Sequence, residues 1–126
     1  MDPIGQLCET IGEAKLRSMV AAFYRRVRED DLIGRLYPPE DWEGAEKRLA
    51  DFIVYRFGGP PVYLQERGHP MLRARHMPFP IGGAERDRWM ALMMQAMDEV
   101  EIPADTSPVV NSFFAQVAEA MRNRSS

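Results

Sequence analysis

Residues 58–82 read GGPPVYLQERGHPMLRARHMPFPIG. This stretch holds both histidines of the chain, His69 and His76, and five of its ten prolines. Pro70 has a fixed φ and no N–H, so it suits the first turn of a helix and not its interior. Pro78 and Pro80 disfavour helical geometry at the residues before them. The spacing therefore predicts a short helix over 70–75, bracketed by prolines, with His76 near its C-terminal end. His69 reads as a cap or brace at the start of that helix. On composition alone His76 is more often a satisfied polar or surface residue; the proline bracket puts a ligand role level with that reading.

Outward from this stretch the pattern is helical. Leu16, Met19, Val20, Phe23, Tyr24 and Val27 form one apolar stripe. Trp42, Ala45, Leu49, Phe52, Ile53 and Phe57 form a second, stopped by Gly58-Gly59-Pro60-Pro61. Trp89, Leu92, Met93, Ala96, Met97 and Val100 form a third, behind a first turn whose Glu85 and Asp87 suit the helix dipole. Val110, Phe113, Phe114, Val117, Ala118 and Met121 form the fourth, after Pro108. DDLIGRLYPP, residues 30–39, reads as a helical corner capped by Asp30 or Asp31. No alternating β-branched run signals a strand. The expectation is one all-α domain over residues 1–126.

A length of 126 residues with 45% hydrophobic content fits one globular domain. A net charge of −3 argues against nucleic acid or an anionic membrane as partner. No apolar run approaches the roughly 20 residues that span a bilayer, and MDPIGQ lacks a signal-peptide pattern. A soluble cytoplasmic protein is expected, as monomer or homodimer. Cys8 is the only cysteine, which forbids an internal disulfide; it reads as an incidental thiol. Without CxxCH there is no covalent c-type haem attachment.

Zinc would want three or four ligands, and two histidines seven residues apart on one helix would lie roughly 10 Å apart along its axis. One neutral histidine can instead serve as the axial ligand of a haem, whose ring supplies the equatorial nitrogens. Four helices rich in Phe, Met and Leu can line the apolar cleft this needs.

GGPPVY, GHPMLRARHMPFPIG and ERDRW, with FYRRV and YPPEDW upstream, resemble the group II truncated haemoglobins, from about Ile11 to Met97. The paired glycines often found between that family's first two helices here read Ile11-Gly12-Glu13, a variant group II members show. The resemblance implies a two-over-two helical sandwich around a non-covalent haem b. His76 matches the proximal iron ligand, Tyr24 and Tyr37 the distal tyrosines, and Trp89 the tryptophan that closes the distal pocket. Ala45 and Leu49 match two distal-face positions four apart. Arg48, Tyr63 and Arg75 match positions suited to the haem propionates, and Phe23, Phe52, Phe79, Ile81 and Met93 the apolar wall. Ala45 stands where many globins place a distal histidine, so bis-histidine coordination is not expected.

At neutral pH tyrosine and tryptophan both donate hydrogen bonds. Three such donors around a diatomic ligand imply tight oxygen binding. The implied work is redox chemistry on nitric oxide or peroxide, with carbon monoxide as a further ligand and an unidentified reductase as partner. The alternatives are a haem-based sensor or partner-binding module, and a haem-free helical interaction domain. Composition and spacing alone read the three aromatics equally well as core residues.

Overall fold

The structure is a computed structural model that describes residues 4–71, 75–77 and 79–124. Among them run a 3-10 turn at Ile4–Gln6 and the helices α1 (Leu7–Ile11), α2 (Glu13–Arg28), α3 (Trp42–Arg56), α4 (Val62–Arg67), α5 (Gly83–Glu99) and α6 (Ser107–Ala120). A second 3-10 turn at Gly34–Leu36 forms the corner between α2 and α3. The described residues contain no strand and no helix long and apolar enough to cross a membrane.

The four apolar stripes become the four long helices. Leu16, Met19, Val20, Phe23 and Val27 are all 0% exposed on α2. Burying each side chain of this kind contributes about 1.5–3 kcal/mol. α2 packs against both α3 and α5, and α5 packs against α6. The result is the expected two-over-two sandwich of an all-α fold. Pro108 lies inside the first turn of α6, where its missing N–H costs nothing.

Gly12 breaks α1 from α2 at φ +100°, a conformation favouring glycine. Gly58 does similar work at the end of α3, with φ +95° and its Cα held against the 3-10 turn. A side chain there would put its Cβ 1.9 Å from the Gly5 carbonyl oxygen. The neighbouring Cys8 N–H donates to the Phe57 carbonyl at 2.8 Å. The Gly58-Gly59 stop is therefore also the seat on which the N-terminal segment docks. Burial and the nearby Glu13 push the Cys8 thiol up, keeping it protonated and unreactive.

Asp51 was not visible in the apolar pattern, yet it is buried on α3. Arg17 of α2 reaches it at 3.0 Å and Lys47 at 2.7 Å, while Lys47 also reaches Glu66 of α4 at 2.6 Å. Burial alone would raise the Asp51 pKa, but the hydrogen bonds from Lys47 and Arg17 outweigh it and hold the carboxyl below its ordinary value. A lowered folded-state pKa binds fewer protons than the unfolded chain. Its stabilisation is present above about pH 4 and is lost as pH falls through the folded value. Asp51→Asn is expected to cost about 1–2 kcal/mol at pH 6, because both cations can still reach water. The difference from wild type should shrink toward pH 3 in urea titrations.

Candidate functional site

A cavity of about 550 Å³ opens between the two helical layers. α2 supplies Tyr24 to its lining; the corner supplies Tyr37; α3 supplies Ala45, Arg48, Leu49 and Phe52. Tyr63 and Arg67 come from α4, Trp89 from α5, and Phe113, Phe114, Val117 and Ala118 from α6. Arg75, His76, Phe79 and Ile81 complete it from the segment between α4 and α5.

Local sequence fixes the corner. Both the Leu32 and Ile33 N–H groups donate to Asp30 Oδ2, at 3.0 and 2.9 Å, and Arg88 of α5 pairs with the other carboxylate oxygen. Asp30 is thus the cap, as one of the two expected candidates. Tyr37 follows the 3-10 turn in extended geometry, φ −105° and ψ 136°, as a residue before proline prefers. Its ring stacks on Trp42 at 5.3 Å and meets Tyr24 edge-on at 5.6 Å. Arg28 lies over the Trp42 ring, 5.4 Å from its centre. Trp89 is wedged between Phe23 at 5.0 Å and Phe114 at 5.6 Å.

These contacts gather three hydroxyl and indole groups. Tyr24, Tyr37 and Trp89 all line the cavity, and each side chain carries one hydrogen-bond donor. Burial, then the adjoining Tyr37, pushes Tyr24 well above its ordinary value. Burial raises Tyr37 as well, more than the neighbouring Tyr24 and Trp89 side chains lower it. Both phenols stay protonated throughout the neutral and mildly alkaline range.

His76 is half-buried at the cavity, with the Phe79 ring edge-on at 6.5 Å. Arg75 and His76 are helical, and the Arg75 N–H donates to the Met71 carbonyl at 3.1 Å. Residues 72–74 and 78 lie outside the described residues, and so does most of the short helix expected over 70–75. His69 is exposed and does not line the cavity. Ala45 does line it.

Four arginines, Arg48, Arg67, Arg75 and Arg86, line the cavity. Asp41 holds Arg48 at 2.7 Å, and Arg75 donates to the Arg67 carbonyl at 3.2 Å. Arg67 and Arg75 are exposed, so they mark the wet side of a largely aromatic and aliphatic space, to which Asp41 and Glu85 also contribute.

The pocket wall needs two corrections. Phe23 and Met93 are both 0% exposed, and neither lines the cavity. Phe23 turns into the aromatic core, edge-on to Tyr24 at 5.1 Å, because adjacent helical residues point about 100° apart. Met93, one turn beyond Trp89, is enclosed within the hydrophobic cluster. The other side chains the resemblance named all face the cavity. Missing from that expectation were Arg67 and Arg86, Asp41 and Glu85, the corner residues Ile33, Leu36 and Pro38, and the face of α6 with Met121 beyond it. The α6 stripe was legible, and an apolar stripe reads the same whether it faces a core or a cavity.

A family model for bacterial-like globins matches residues 6–123. The group 2 truncated hemoglobin YjbI of Bacillus subtilis is 43% identical over 97 residues, 77% of this chain and 73% of the relative. The chain belongs to the group II truncated haemoglobins. Among solved structures, the hemoglobin of the thermophilic phototroph Chloroflexus aurantiacus is 42% identical with a TM-score of 0.91, covering 94% of this chain and 98% of that one. A truncated oxygen-avid haemoglobin from Bacillus subtilis is 36% identical with a TM-score of 0.89, covering 94% and 99%. Membership of the globins implies haem binding, and this truncated haemoglobin's cavity fits that group. It offers one imidazole, broad apolar walls for a flat ring, and cations on the wet side for carboxylates.

Proposed function

We propose that this truncated haemoglobin, acting as one domain, binds haem b non-covalently through His76 and holds oxygen and other diatomic ligands tightly. Arg48, Arg75 and Tyr63 would take the propionates, and Phe52, Phe79, Ile81 and Leu49 would pack on the ring. When bound, ferrous haem supplies an iron that takes a diatomic ligand and shifts negative charge onto it. The chain's part is to exclude water and to present fixed donors to that charge.

The observation that supports this reading is that three hydrogen-bond donors, Tyr24, Tyr37 and Trp89, line the same apolar-walled cavity as His76, with the two tyrosine rings edge-on at 5.6 Å. Hydrogen bonds to charged acceptors contribute roughly 1.5–3 kcal/mol, and each 1.4 kcal/mol is tenfold. A pocket of this kind favours retention over delivery, as in the oxygen-avid relative. Retention suits redox chemistry on nitric oxide or peroxide, with a reductase to return electrons.

The test is the absorption spectrum of the purified, haem-supplemented protein: ferric, then reduced, then under oxygen and carbon monoxide. A Soret band that moves with each ligand is expected. A flat visible spectrum would sink the reading.

A further inference from the structure

The segment that carries His76 is held from the far end of the chain. Asn123, just beyond α6, is half-buried, and its side chain makes bonds that only a carboxamide can make together. Its Nδ2 donates to the His76 carbonyl at 3.2 Å and to the Phe79 carbonyl at 2.8 Å. Its Oδ1 accepts from the Ile81 N–H at 2.9 Å and from Arg124 Nη1 at 3.2 Å. The Asn123 N–H closes the clip on the Ile81 carbonyl at 2.8 Å. Two carbonyls facing Nδ2 and an N–H facing Oδ1 settle which way the amide points. Between these anchors the Phe79 N–H donates back to the His76 carbonyl at 3.0 Å.

We infer that Asn123 is a positioning residue for His76, its Nδ2 fixing the backbone from which the imidazole reaches into the cavity. The inference rests on the haem reading above. Prolines alone cannot do this work: they stop a helix without tying the His76 carbonyl to another element. A side chain 47 positions away makes that tie and joins the cavity's histidine to the end of α6, whose Phe113, Phe114 and Val117 also line the cavity. The same amide also fixes Phe79 and Ile81, so one residue sets three lining positions.

Two substitutions separate positioning from simple anchoring. Asn123→Asp is nearly isosteric and keeps the acceptor for Ile81, but it removes both Nδ2 donors. Asn123→Ala removes everything except the backbone bonds. The readouts are the iron–histidine stretching band of the ferrous holoprotein and the rate of haem loss to excess apomyoglobin. In both variants the band is expected to shift and broaden, with haem loss about tenfold faster, the effect of two modest hydrogen bonds. An unshifted band and unchanged haem loss in both would overturn the inference, whatever happens to the melting temperature. So would wild-type behaviour of Asn123→Asp alone, because the Ile81 bond would then suffice. His76→Gly measured alongside must abolish the wild-type band. If it does not, the haem reading has failed first and the inference falls with it.

Discussion

His76→Gly is expected to leave a folded, helical protein that loses haem at least roughly 100-fold faster than wild type. That is the scale on which even an outer partner of a ligand matters, and His76 would be the ligand itself. The size of the effect follows from the lining of the cavity. His76 is its single imidazole, and the chain's other histidine, His69, is exposed and outside the lining. Ala45 offers no donor atom. The variant therefore has no spare nitrogen with which to ligate an iron, while the apolar walls that bury the ring remain. Added imidazole should enter the vacated space and restore a Soret band close to wild type. His69→Gly, made as the control, should change neither spectrum nor haem loss. An unaltered spectrum in His76→Gly would mean that the iron is held elsewhere.

Much of this was legible in the sequence, for reasons that differ between parts. The four long helices announce themselves because each must bury one face, and burial at helical spacing leaves a periodic trace in Leu16 to Val27 and its three counterparts. The identity of the cavity residues came mainly from the family motifs. Trp89 and Val117 sit on the same stripes as fully buried neighbours, and periodicity has no term for an internal void. Phe23 shows the converse: it occupies a stripe position beside Tyr24 and still faces the core. α4 was not anticipated, since six residues between Pro61 and Gly68 are too few for a periodic signal. Nor could local patterns show the buried Asp51, or Asn123 reaching His76, because each is defined by partners distant in sequence or on other helices. Contacts of that kind are set by packing.

Tyr37→Phe is expected to speed oxygen release by roughly 10- to 150-fold, the equivalent of one hydrogen bond to a charged acceptor. Tyr37 is one of three hydrogen-bond donors, with Tyr24 and Trp89, that line the cavity, and it stands on the corner with its ring stacked on Trp42 and edge-on to Tyr24 at 5.6 Å. Tyr24→Phe leaves the Tyr37 and Trp89 donors in place, so release should change only a few-fold. In Tyr37→Phe, Tyr24 and Trp89 remain as donors lining the cavity. Either can turn toward the ligand and recover part of the loss. Tyr24→Phe and Trp89→Phe added to the Tyr37→Phe background should therefore accelerate release more than the same pair in wild type, a non-additivity read from stopped-flow rates. Protonation supplies an independent check. Burial raises both phenols above the ordinary tyrosine value, so the wild-type release rate should stay flat from pH 6 to 9. Release left unchanged in Tyr37→Phe, and also in the Tyr24→Phe/Trp89→Phe pair, would mean that ligand retention does not come from these donors. The pocket would then hold its ligand through the iron and its apolar walls alone.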